Sequence, residues 1–229
     1  AQGTLKAAEA LGKEAQNLTA DFINRNDHRP YYGPRLYLTT GLFYAFEPRL
    51  PIQQLHEVAT IAMRWSLNEI QKPEKPGVTT AVMRAIAKRF WGSEVAADFS
   101  TYDGKALAAA KILDRQYAKE SLILCDFNWP IMYSEATDDK VGDPTLESRI
   151  CSAVTGKEVD EDGLYRIGER AFNLQRAILI REGRQGRADD TLEEYEFTCP
   201  VTELTAFGNP EALIPGKNGQ TMSRKDLAV

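Results

Sequence analysis

DEDGLYRIGERAFNLQRAILIREG, residues Asp160–Gly183, carries the strongest periodic signal in the chain. Leu164, Ile167, Ala171, Leu174 and Ile178 recur at steps of three and four, which places them on one side of an α-helix and predicts a core-facing stripe. Asp160 is a natural N-cap, because its carboxylate can take a backbone N–H of the first turn. Gly183 supplies the stop. A strand alternates every second residue, and no such alternation is present here.

Upstream the same period recurs. Leu5, Ala8, Leu11, Ala15, Leu18 and Phe22 predict a first helix. Residues 24–34, with Asn26-Asp27, Pro30, Gly33 and Pro34, read as a loop. Leu36 to Phe46 is a short apolar stretch ended by Glu47-Pro48. A helix over Pro51 to Ile70 is expected to bury Leu55, Val58, Ala62 and Trp65, with Glu69 on the same side. Lys72-Pro73-Glu74-Lys75-Pro76-Gly77 is the clearest linker. After it, Val82, Ile86 and Phe90 form a stripe closed by Gly92. Asp103-Gly104 opens a helix toward Leu122 with Leu107, Ala110, Leu113 and Tyr117 on its face. Asp143-Pro144 reads as a cap with proline in the first turn of a short helix ending near Gly156. From Ala188 to Val229 the helical signal fades, and Asn218-Gly219 suggests a hairpin turn. The expected fold is all-α (mainly α), multihelical, with two packed helical subdomains and an irregular C-terminal tail. The boundaries fall at 1–72 and 77–229.

Composition excludes several classes. The net charge is −5, and Lys and Arg are interleaved with Asp and Glu, so no basic face for nucleic acid is expected. No apolar run approaches the roughly 20 residues of a membrane span. The N-terminus Ala1-Gln2-Gly3-Thr4 has no charged and apolar leader pattern and no initiator Met. Cys125, Cys151 and Cys199 form neither a disulfide framework nor a CxxC site. This usage fits a reducing compartment and hence a cytoplasmic protein.

On residue chemistry alone the chain is poor in catalytic equipment. It has no phosphate-cradling glycine loop, no HExxH and no GxSxG. Of the two histidines, His56 reads as a packed or half-exposed helix residue, and His28 lies in a polar loop. Cys125 ends the apolar run Ser121-Leu122-Ile123-Leu124 just before the turn Asp126-Phe127-Asn128-Trp129-Pro130. Taken alone it reads as a small buried hydrophobe. An iron–sulfur cluster needs four thiolates, so the chain holds none by itself.

Several stretches nevertheless resemble one family in order. Leu174–Gly183 followed by Gly186–Leu192 is similar to the C-terminal signature of the aldehyde:ferredoxin oxidoreductases, roughly N-L-E-R-x-F-N-x-R-E-G and then R-x-D-D-x-L. Ala153-Val154-Thr155-Gly156 resembles that family's A-x-T-G turn. Gly33-Pro34-Arg35 with Gly41–Arg49 resembles its D-P-R-G … G-L-x-Y-A-T-x-x-R-G segment. Gly3–Gly12 resembles its E-G-x-x-R-A-A-E-x-L-G helix.

The resemblance implies an enzyme with tungsten (or molybdenum) held by two pyranopterins beside a [4Fe–4S] cluster. Glu120–Cys125 lines up with the family's D-x-x-G-L-C, so Cys125 becomes the expected fourth cluster ligand. Glu120, Ser121, Leu124 and Arg35 become expected cofactor contacts. His56 and Tyr31 are the expected catalytic residues, His56 standing near the position of a family histidine that is Gln53 here. Two departures are Glu120 for Asp and Ile123 for Gly; with Pro48–Glu57 they resemble the branch containing class II benzoyl-CoA reductase-like members. The implied reaction is oxidation of an aldehyde to its acid with ferredoxin as acceptor. Two alternatives are reduction of an aromatic acyl-CoA, in a pocket drawing on Tyr31, Tyr32, Phe43, Tyr44, Phe46, Trp129 and Tyr133, and a helical interaction module without chemistry. The chain is expected to be the C-terminal part of a longer protein, completed by an N-terminal pterin-binding domain and carrying no cofactor alone.

Overall fold

The computed structural model of the chain describes residues 3–20, 23–24, 27–28, 37–46, 56–192, 194–198 and 221–227. The architecture is helical, as the periodicity predicts. Its ten α-helices among the described residues are α1 (Gly3–Leu11), α2 (Lys13–Ala20), α3 (Leu38–Phe46), α4 (His56–Gln71), α5 (Thr80–Trp91), α6 (Lys105–Ser121), α7 (Leu146–Thr155), α8 (Glu161–Arg181), α9 (Glu194–Thr198) and α10 (Arg224–Leu227). The described strands are two dipeptides, β1 (Ile23–Asn24) and β2 (Asp27–His28), paired antiparallel.

Boundaries follow local chemistry. The first predicted helix is split at Gly12 into α1 and α2. Thr79 caps α5 by accepting from the Val82 amide, and Asp160 caps α8 by accepting from the Gly163 amide at 2.7 Å. The cap expected at Asp143 lies two residues later. Asp143 Oδ1 instead accepts from the Thr145 amide and hydroxyl, turning the chain before α7 begins. The tail is more regular than expected, since α9 and α10 form within it; the Asn218-Gly219 turn lies outside the described residues.

One apolar core unites α3, α4, α5 and α6. It holds Phe43, Tyr44, Val58, Ile61, Trp65, Met83, Ile86, Phe90, Trp91 and Ile112, and draws in Leu192 and Met222 from the tail. It therefore takes residues from both sides of the 72–77 linker. A smaller cluster of Ala118, Cys151 and Leu164 packs the end of α6 against α7 and the start of α8. Val58, Ala62 and Trp65 of α4 and Ile86 and Phe90 of α5 point inward as predicted, Glu69 and Val82 are half-buried, and Leu55 lies outside the described residues.

Two other predicted stripes point inward only in part. On α8 only Leu164 and Gly168 are buried, while Ile167, Leu174 and Ile178 are exposed, Leu174 at 64%. The face that meets α6 is instead built by Tyr165, Gly168, Phe172 and Gln175. Phe172 packs edge-on against Tyr117 and Phe46, and Gln175 accepts from the Tyr117 hydroxyl. Gly168 permits the crossing, because a Cβ there would lie 1.6 Å from the Asp114 carbonyl oxygen. On α6 the expected Leu113 is buried and Tyr117 packs against the core, but Leu107 and Ala110 are exposed; the buried face also carries Lys105, Ile112, Arg115, Gln116 and Lys119. Three buried cations on one helix face need partners, and these organise the site below.

Candidate functional site

The C-terminal end of α6 brings Glu120, Ser121, Leu124 and Cys125 together. The helix closes in a two-bond C-terminal cap: the Ile123 amide donates to the Glu120 carbonyl at 3.0 Å and the Leu124 amide donates to the Lys119 carbonyl at 3.0 Å. This motif needs a left-handed residue, and Ile123 occupies it at φ 57°. At the end of α8 the same pair of bonds, Gly183 to Ile180 and Arg184 to Leu179, is made with Gly183 at φ 110°. A β-branched side chain in this conformation is strained, and here it is also 92% exposed.

Cys125 follows at once and is exposed, not enclosed as its apolar context alone suggests. Its carbonyl accepts from the Asn128 amide at 3.1 Å and the Trp129 amide at 3.0 Å, closing a tight turn. Beside it Phe127 is 66% exposed. The thiol thus stands on an apolar, uncovered rim. Glu120 is exposed in the last turn of α6, and the Ser121 hydroxyl donates to the Tyr117 carbonyl at 2.8 Å. Leu124 is half-buried.

Behind the turn lies a buried polar network. Lys119 Nζ, fully enclosed, donates to Asp126 Oδ1 at 2.8 Å and to the Trp129 carbonyl at 2.7 Å. One helical turn earlier, Arg115 grips Glu57 of α4 with Nε at 3.2 Å and Nη2 at 2.6 Å, and also donates to the Tyr165 hydroxyl and the Phe90 carbonyl. Trp91 Nε1 donates to the same Glu57 at 3.0 Å. Burial works against the Arg115 charge, but Glu57 and Tyr165 outweigh it and hold the guanidinium above its ordinary value. Glu147 of α7 is fully buried nearby, and among the described residues no side chain or backbone group of another residue hydrogen-bonds its carboxylate. Burial pushes its carboxyl up, opposed only in part by its own backbone amide and by Arg115 and Lys119.

The C-terminal signature residues form a structural clamp. Arg176 meets Asp190 with two bonds of 2.7 Å, and Arg184 Nη2 donates to Asp190 Oδ1 at 2.8 Å and to the Ala45 carbonyl at 2.6 Å. The Arg176 guanidinium lies over the Phe46 ring. The motif therefore ties the end of α8 to the end of α3. Phe43 and Tyr44, expected in a substrate pocket, are core residues, and Phe46 packs on Phe172.

The other expected site residues are not brought to this turn by anything described. Tyr31 and Arg35 lie outside the described residues, and His56 opens α4. Among the described residues no group of three or more His, Cys, Asp or Glu could hold a metal ion. The exposed Cys125 on its fixed turn is nevertheless a suitable donor for one iron of a cluster shared with another domain. The network of Glu57, Arg115, Lys119 and Glu147 escaped sequence reading. Its one legible hint is the i, i+4 spacing of Arg115 and Lys119, which surface helices also show.

Fold and site define a multihelical domain that presents one cysteine at an open face. The family model for aldehyde ferredoxin oxidoreductase, domains 2 & 3, matches residues 1–215. The chain belongs to the aldehyde ferredoxin oxidoreductase family. No solved structure matches it. Among the described residues no helix is long and apolar enough to cross a membrane.

Proposed function

We propose that this chain is the cofactor-facing C-terminal part of an oxidoreductase that oxidises aldehydes to carboxylic acids. The family match supports the class, since its model covers the second and third domains of such enzymes. In this reading a further domain carries the remaining cluster cysteines and the pterin-binding surface. A tungsten or molybdenum bis-pyranopterin with a [4Fe–4S] cluster would supply the two-electron oxidation of the aldehyde to its acid, with ferredoxin as the electron acceptor.

This chain's residues then bind and position. Cys125 supplies one thiolate to the cluster. Glu120 accepts hydrogen bonds from pterin amino and ring N–H groups, with Ser121, Leu124 and Arg35 as further cofactor contacts. Tyr31 and His56 serve on the substrate side. The observation that carries the reading is the exposure of Cys125 on a turn whose neighbours Ile123 and Phe127 are apolar and uncovered. An inert cysteine is normally buried, whereas one offered to a shared cluster must face outward.

The test is Cys125→Ser in the complete protein, read by iron and acid-labile sulfide content and by the electron paramagnetic resonance (EPR) spectrum of the reduced cluster. Loss or conversion of the four-iron signal is expected. An unchanged spectrum and iron content would remove Cys125 from the ligand set.

A further inference from the structure

We propose that Lys119 is the positioning residue for Cys125, holding its turn from both ends. This rests on the reading of Cys125 as a cluster ligand. Upstream of the cysteine, the Lys119 carbonyl accepts from the Leu124 amide and fixes the exit from α6. Downstream, the ammonium of the same residue donates to Asp126 Oδ1 and the Trp129 carbonyl, so both acceptors fall within four residues of the thiol. Cys125 is thereby bracketed by bonds from one residue, while its own carbonyl is held by Asn128 and Trp129.

Stability alone does not explain such a lysine. Its side chain has no solvent exposure, and desolvating an ammonium is costly; an apolar side chain of similar volume is often as stable in such a place. What the ion pair adds is direction. A methionine at position 119 would fill the space and leave the turn free to choose among orientations. The ammonium, with partners on Asp126 and Trp129, selects one. Outer groups that orient a metal-binding side chain are worth about 10–100-fold in metal affinity, so the expected effect is large.

The test uses the complete protein with Lys119→Met, which keeps the stem and removes the donors. Amide hydrogen exchange at Asn128 and Trp129 is expected to rise about tenfold, with Ile112 in the middle of α6 unchanged. The EPR amplitude of the reduced cluster is expected to fall to about a tenth of wild type. Wild-type exchange at both amides together with a wild-type EPR spectrum overturns the proposal. Should Lys119→Met not accumulate as folded protein, Asp126→Ala removes one acceptor and is judged by the same two readouts. Cys125→Ser separates the two ideas: an intact cluster in that variant sinks the ligand assignment, whereas a lost cluster there beside an unaffected Lys119→Met sinks the positioning role alone.

Discussion

Replacing Ile123 with glycine is expected to stabilise the protein, although it deletes a large apolar side chain. Ile123 sits at φ 57° in the cap that ends α6, and an L-residue in the left-handed region costs about 1–2 kcal/mol, with β-branching at the upper end. The side chain is 92% exposed, so its removal forfeits almost no buried area. Against the relief stands the added freedom of glycine in the unfolded chain, roughly 0.5–1 kcal/mol. The two cap bonds, Ile123 to Glu120 and Leu124 to Lys119, are made by the backbone and survive. The net expectation is a gain of about 0.5–1 kcal/mol, or a Tm higher by about 2 °C for a chain of this size. Urea unfolding followed by far-ultraviolet circular dichroism, with calorimetry as a check on cooperativity, measures it. A loss of stability, or an unchanged midpoint, would refute the reasoning, because it would mean either that the residue is not left-handed or that the isoleucine makes contacts the turn does not display. Gly183, in the same position at the end of α8, is the internal comparison: Gly183→Ile should destabilise by a similar amount.

Glu57→Leu should cost about 3–5 kcal/mol in urea unfolding, because it leaves the enclosed Arg115 guanidinium without its ion partner. Glu147→Met removes a buried carboxyl that no other described residue hydrogen-bonds and should stabilise by about 1–3 kcal/mol. Its folded pKa is raised, so the wild-type penalty is absent below the ordinary value and grows as pH rises; the gain should be larger at pH 8 than at pH 4, and equal gains would contradict the assignment. Asp114 is pushed up to about 6 by burial and by Glu169 on α8. Its neutral form suits the fold, so its contribution is full below pH about 3.8 and is lost as pH rises through 6; Asp114→Asn should flatten the fall in urea midpoint over that window and raise the midpoint at pH 7.5.

Helices α4 and α5, the cap at Asp160, and the stops at Gly92 and Gly183 were legible in the sequence because each depends on residues within a turn or two of one another. So was the family, through short motifs in order, confirmed over residues 1–215. The inward faces of α6 and α8 were legible only at Leu113, Tyr117 and Leu164. Periodicity assigns the apolar side to the core, but α6 buries Lys105, Arg115 and Lys119, whose partners arrive from Val95, Glu57 and Asp126. On α8 the approach distance set by Gly168 rotates Ile167, Leu174 and Ile178 outward. The exposure of Cys125 is of the same kind: its local sequence is apolar, and only the Ile123 cap and the Lys119 contacts turn it to the surface. Local sequence fixes backbone hydrogen bonding within an element, whereas the pairing of Arg115 with Glu57 and Tyr165 and the close passage of α6 and α8 depend on residues 50 or more positions apart, which no short window along the chain brings together.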